Sequence, residues 1–304
     1  MSDRWQGSGE PEQSVHRPVL VREVLQFLDL QRGLVVVDGT VGAGGHSQHI
    51  LNSIGSEGTL IGLDRDPAML SRARSVCDRP NCELRHASYA QLPQILSELE
   101  LQQVDRLLLD LGLSSDQLAD ADRGFSFESE GPLDLRFDCT QGQPAAELLG
   151  DLNEHDITDL LERYGEERFA RKIARAIVGF RDSQPIHTAG DLVRAVETAV
   201  PGGVRRRSRK HPATRVFQAL RIAVNDELGQ LQTTLDTVLH SCVRPGGRVV
   251  IISFHSLEDR LVKQAFQDQQ KWQNLTSKPV TATTAEQRLN PRSRSAKLRA
   301  ALRK

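Results

Sequence analysis

The sequence predicts an α/β fold: a mostly parallel open sheet with crossover helices, carrying an inserted all-helical subdomain. Short β-rich apolar runs alternate with helical stretches in the first part of the chain. The first two runs lie about 25 residues apart, as a βαβ unit requires. Beyond residue 118 the alternation gives way to roughly a hundred residues with helical periodicity and no convincing strand.

Composition narrows the classes. The 304 residues are 38% apolar, and 23 glycines raise the sum to about 46%, ordinary for a globular chain with a sizeable core. Lys plus Arg number 39 against 40 Asp plus Glu, so net charge alone would not draw the chain to nucleic acid, and a polyanion site must be a local patch. No apolar run approaches the roughly 20 residues that span a bilayer, so no membrane partner is expected. Residues 1–14 are polar, without a signal-peptide core, and read as a disordered tail. Cys77, Cys82, Cys139 and Cys242 form no C-x-x-C pair, which argues against zinc and disulfides and fits a reducing, cytoplasmic setting. No His, Asp or Glu cluster has ligand spacing, so no metal is expected. Aromatic content of 4% is too low for an extended base-stacking platform.

The strand candidates are 34–38, 59–64, 82–87, 105–110 and 248–254. Three end in a carboxylate, at Asp38, Asp64 and Asp110. In open parallel sheets the carboxyl ends of the strands form the ligand crevice, so these acids read as site residues. Within the insertion, Asn153 caps a helix ending at Gly165, a second helix spans about 166–181, and Thr188 with Asp191 opens a third by a capping box. Charge is polarised here: residues 119–170 carry fourteen acids and four bases, residues 171–215 eleven bases and three acids. Arg205, Arg206, Arg207, Arg209, Lys210 and Arg215 place six bases and no acid within eleven residues, which suits phosphate contacts. The turn Arg244-Pro-Gly-Gly247 precedes the fifth strand, and Ser256 with Asp259 caps the helix after it. The last seventeen residues hold seven bases and no acid; they read equally as a frayed tail or a functional segment, with 296–303 offering a final edge strand.

The sharpest local feature is Asp38-Gly-Thr-Val-Gly-Ala-Gly-Gly-His-Ser47, between a strand and a helix. Glycines let a cofactor approach the backbone, and the helix start offers free N–H groups. Asp64 closes the next strand twenty residues beyond Gly44, where a carboxylate can accept both ribose hydroxyls. A nucleoside-bearing cofactor follows. Counting a dinucleotide fingerprint from Gly42 puts Ser47 at the third glycine, which disfavours NAD, and a phosphate-gripping G-x-x-x-x-G-K-[ST] is absent. S-adenosylmethionine, which has no phosphate, suits the pattern.

Eight blocks in order carry a resemblance: the Asp38–Ser47 segment, Gly62-Leu-Asp-Arg-Asp-Pro67, Asp110-Leu-Gly-Leu-Ser-Ser-Asp-Gln117, Arg123-Gly-Phe-Ser-Phe127, Gly131-Pro-Leu-Asp-Leu-Arg136, Tyr164-Gly-Glu-Glu-Arg-Phe169, His211-Pro-Ala-Thr-Arg215 and Ser253-Phe-His-Ser-Leu-Glu-Asp-Arg260. Together they resemble the bacterial MraW (RsmH) family over residues 16–299. The resemblance implies a class I S-adenosylmethionine-dependent methyltransferase fold and methylation of N4 of cytosine 1402 in 16S ribosomal RNA, as free RNA or in the small ribosomal subunit. It implies cofactor contacts by Gly44, Gly45, His46, Asp64, Tyr89, Asp110 and Gln117. Asp110 is also the catalytic candidate beside the transferring methyl; Ser114, Ser115 and His255 are further candidates for the proton acceptor, which the sequence leaves unassigned. The expected division is a tail at 1–14, methyltransferase segments at 15–118 and 214–304, and a substrate-recognition insertion at 119–213. A homodimer is compatible with the sequence. Alternative readings are an amino-group methyltransferase acting on another nucleic acid and a non-catalytic RNA-binding assembly factor.

Overall fold

The structure, a computed structural model, describes residues 17–127, 130–200 and 211–304. The expected tail at 1–14 and the bases Arg205, Arg206, Arg207, Arg209 and Lys210 lie outside the described residues. The strands are β1 (Val35–Asp38), β2 (Thr59–Asp64), β3 (Cys82–His86), β4 (Val104–Asp110), β5 (Val243–Ser253), β6 (Trp272–Asn274) and β7 (Lys297–Arg303). They form one sheet in the order β3-β2-β1-β4-β5-β7-β6. β1 to β5 are mutually parallel, and β7 runs antiparallel to both its neighbours.

Alternate residues of the central strands are buried on opposite faces. Val37, Ile61, Leu107, Leu109, Val249 and Ile251 pack with the helices Leu92–Glu98 and Ser256–Phe266 and with Leu231, Leu235 and Leu239. Val36, Leu60, Leu108, Val250 and Ile252 meet Val24 and Leu28 of the helix Val21–Leu28 and Ile50, Leu51 and Ile54 of the helix Gly45–Ile54. A sheet covered on both faces needs apolar residues at every position, which is why these strands read as continuous apolar runs.

A separate apolar core lies within residues 125–220. It is built by the helices Ala145–Asp151, Glu154–Gly165, Ala170–Ser183, Ala189–Ala199 and Ala213–Asn225. The last of these sends Val216, Phe217 and Leu220 into this core, although the expected boundary after residue 213 assigns it to the sheet-bearing part. Asn153 caps its helix, accepting from the Asp156 N–H at 3.0 Å, and the Thr188–Asp191 capping box is present. The next helix begins at Ala170 and not near 166, because Glu166 adopts φ +47° and its N–H closes the preceding helix on Leu161.

Three local expectations are corrected. Residues 244–247 do not precede β5 but bulge out of it: Val243 pairs with Val104 and Arg248 with Arg106, so the turn is looped out of a strand that starts earlier. The strand at the C-terminus is not an edge, since β6 lies outside it. The helix Ser256–Phe266 is capped by His255, not Ser256: the His255 ring accepts from the Glu258 N–H at 3.4 Å, and Glu258 Oε2 accepts from Phe254 N and His255 N at 2.8 and 3.2 Å. An imidazole nitrogen takes the place of the hydroxyl one residue earlier.

Candidate cofactor and methyl-transfer site

A cleft of about 890 Å³, measured out to its open mouth, lies along the carboxyl edge of the sheet. After β1 the chain turns through Gly42 at φ +55° and Gly44 at φ +90°, conformations that L side chains resist, and enters the helix Gly45–Ile54. The Asp64 carboxylate at the end of β2 holds this turn: Oδ2 accepts from Gly42 N at 2.7 Å and Oδ1 from Asp66 N at 2.8 Å. Burial pushes its pKa up to about 6, although both hydrogen bonds oppose this. Each oxygen keeps a lone pair for a ribose hydroxyl.

Of the three strand-end acids, Asp64 and Asp110 line the cleft and Asp38 does not. Asp38 is buried beneath the loop, where it accepts from Ser47 Oγ at 2.6 Å and Thr40 N at 3.2 Å. Burial raises its pKa, and its role is to tie the glycine turn to the helix start. The sequence reading of Asp38 as a ligand-facing acid is therefore corrected.

Among the expected cofactor residues, Gly45, His46, Asp64, Tyr89, Asp110 and Gln117 surround the cleft. Gly44 stands behind it; a Cβ there would lie 3.2 Å from Val76 Cβ and 3.3 Å from Cys77 Sγ. His46 Nε2 is 3.6 Å from Asp110 Oδ2. His46 Nε2 and Asp110 Oδ1 are both buried without a hydrogen-bond partner among the described residues. Buried polar atoms rarely stay unpaired, and these two belong to residues that line the cleft, which makes them candidates for polar contacts to a ligand. The Asp110 backbone N–H is fixed by Thr40 Oγ1 at 2.6 Å. Tyr89 opens a short turn capped by Ser88, and burial raises its phenol, which stays neutral.

Gln117 sits in the first turn of the helix Ser115–Ala119. Its carbonyl accepts from Ser114 N at 2.9 Å, and its amide donates to Asp66 Oδ2 at 2.8 Å, which also meets Arg123 Nη1 at 3.1 Å. Its side chain thus shapes the wall. Arg215, grouped with the basic run, lies away from the cleft and donates to the Glu166 carbonyl at 2.8 Å.

Sequence reasoning missed Arg65, Phe137, Glu227, Glu258 and Arg292, which also line the cleft. Arg221 grips Glu227 with two bonds, at 2.7 and 2.9 Å. Burial alone would raise the Glu258 pKa, but His255, whose Nε2 is 3.2 Å away, and Arg221 hold it below the usual carboxylate value. Glu227, His255 and Glu258 offer ligand atoms within 4.8 Å of one another, a grouping that no sequence spacing announced. The Arg221 fork supplies positive charge to this group and engages both Glu227 oxygens, so its chemistry is that of an ion-pair network.

Class I S-adenosylmethionine-dependent methyltransferases have this sheet order, with one reversed strand and a glycine turn facing a strand-end acid, and this chain is one of them. It belongs to the MraW methylase family, whose pattern it matches over residues 13–304. It is 46% identical to the ribosomal RNA small subunit methyltransferase H of Rhodopirellula baltica over 302 residues, 95% of this chain and 91% of that protein. Similar relatives of the same name occur in Geobacter sulfurreducens, 45% identical over 94% of this chain and 98% of that protein, and Halorhodospira halophila, 47% identical over 96% and 95%. Among the described residues no helix is long and apolar enough to cross a membrane.

Proposed function

We propose that this chain methylates N4 of cytosine 1402 in 16S ribosomal RNA, in the cytoplasm, with the helical core around residues 125–220 and the basic run at 205–210 engaging the RNA. The names of its relatives support the ribosomal substrate. The observation that carries the chemistry is the buried Asp110 Oδ1 at the end of β4, which has no hydrogen-bond partner among the described residues.

The residues present fit S-adenosylmethionine. Asp64 suits the ribose hydroxyls, Tyr89 the face of adenine, and the backbone amides opening the helix Gly45–Ile54 a carboxylate. When bound, the cofactor supplies a methyl group on a positively charged sulfur. The cytosine amine is a poor nucleophile because its lone pair is delocalised into the ring. Asp110 Oδ1 accepts a hydrogen bond from that amine, orients its lone pair and receives the proton that nitrogen gives up. His46, 3.6 Å from the other Asp110 oxygen, steadies the carboxylate and offers the proton a way out. A target base held in a helix has to leave its stack to reach this depth.

The test is mass spectrometry of 16S RNA from cells with and without the gene, joined to transfer of labelled methyl to small subunits, naked RNA and DNA. Loss of one N4-methyl mark and labelling of the small subunit are expected. Labelling of DNA alone, or cofactor binding without transfer to any substrate, would overturn the reading.

A further inference from the structure

The basic C-terminal segment enters the site through topology. Because β7 is antiparallel to β5, the chain entering β7 lies at the edge where β5 ends, with Lys297 opposite Ser253. The turn Pro291–Arg294 therefore stands at the mouth of the crevice. It is anchored by fully buried Ser293, whose Oγ donates to the Asn290 carbonyl at 2.8 Å, and by Asn290 donating to the Arg17 carbonyl at 2.9 Å.

From this turn Arg292 reaches into the cleft that Asp110 lines. Its guanidinium carbon lies 5.7 Å from the centre of the Phe254 ring, and Nη1 donates to Ser115 Oγ at 3.3 Å. Phe254 in turn lies beside the loop after β4, close enough that a Cβ on Gly112 would come 3.3 Å from its ring. The fork is thus held between the segments that follow β4 and β5, beside the catalytic carboxylate. Burial lowers its pKa, while Asp110 and Asp116 pull the other way. A guanidinium keeps its charge even so, and its planar donors are directional.

Resting on the cytosine reading above, we propose that Arg292 is the specificity-determining donor that reads the N3 and O2 edge of the target cytosine while Asp110 takes the N4 hydrogen. Cytosine presents donor, acceptor, acceptor along that edge. A carboxylate beside a planar fork presents acceptor, donor, donor. Adenine offers the first two groups but a C–H at the third, and uracil reverses the first two. A buried polar site left unpaired by the wrong base rejects it strongly.

The test uses the full chain, unmethylated small ribosomal subunits and labelled S-adenosylmethionine, with Arg292→Gln and Arg292→Lys. Thermal melting selects variants that fold, and the lysine change keeps the charge if the glutamine variant does not fold. We expect kcat/KM for the subunit to fall about 100-fold or more in both. The Kd for S-adenosylhomocysteine should stay within about twofold of wild type, and the salt dependence of subunit binding should be unchanged. Wild-type rates in the variants would overturn the assignment. So would a parallel rise in the S-adenosylhomocysteine Kd, which would place Arg292 on the cofactor, or a salt slope shallower by about 1, which would place it on a phosphate. No transfer by the wild-type chain would instead overturn the substrate reading, and this assignment with it.

Discussion

Acid should loosen the cofactor's ribose before it unfolds the protein. Asp64 offers its remaining lone pairs to ribose hydroxyls only when ionised, and its pKa is pushed up to about 6 by burial. About nine-tenths of the molecules carry the charge at pH 7 and about one-tenth at pH 5. If only the ionised form binds well, the Kd for S-adenosylhomocysteine rises about tenfold over that range, or about 1.4 kcal/mol. The effect on stability has the opposite sign. Folding raises this pKa from 3.8 to about 6, so the contribution of Asp64 to the folded state is complete below the lower value and lost as pH climbs through the upper one. Calorimetric titration from pH 5 to 8, in two buffers of different ionisation enthalpy, reads both the Kd and the protons exchanged. About half a proton should be released on binding near pH 6. Asp64→Asn should bind weakly and lose this component of the pH dependence. A Kd that is flat between pH 5 and 7, or the same slope in Asp64→Asn, would refute the assignment of Asp64 to the ribose.

Asp110→Asn keeps the shape but removes the charge proposed to receive the amine proton, so methyl transfer should drop about 100-fold or more even at saturating S-adenosylmethionine; a variant with normal turnover would end Asp110's catalytic role. Ser47→Ala deprives buried Asp38 of its 2.6 Å hydrogen bond and should cost about 1–3 kcal/mol in urea unfolding, with a change under about 0.5 kcal/mol counting against the role given to Asp38. Arg221→Ala leaves Glu227 and Glu258 without their shared cation and should destabilise by about 3–5 kcal/mol, part of it recovered when Glu227 is also made Ala. A double variant whose loss equals the sum of the two single losses would show that the two side chains are not coupled.

Much of the fold was legible in the sequence because its signals are local. The five parallel strands stand within a residue or two of the runs that announced them, save β5, which starts earlier. Asn153 and Thr188 cap where side-chain chemistry places them. The glycine turn and Asp64 were readable for the same reason: a βαβ unit brings the ends of neighbouring strands together at a known spacing. His255 displaced Ser256 as a cap because two adjacent residues could both reach the same turn, and only packing chose between them.

What tertiary structure alone decided is which distant groups share the cleft, and which way each strand-end acid turns. Local pattern did not separate Asp38, buried on Ser47, from Asp110, whose Oδ1 is unpaired among the described residues. Arg292 meets Ser115 across 177 positions of sequence because β7 is reversed, and Arg221 meets Glu227 because the chain turns sharply at Asp226, which has φ +48°. Periodicity and spacing report what a segment does with itself. The direction of a strand and the burial of a charge are set by the rest of the sheet.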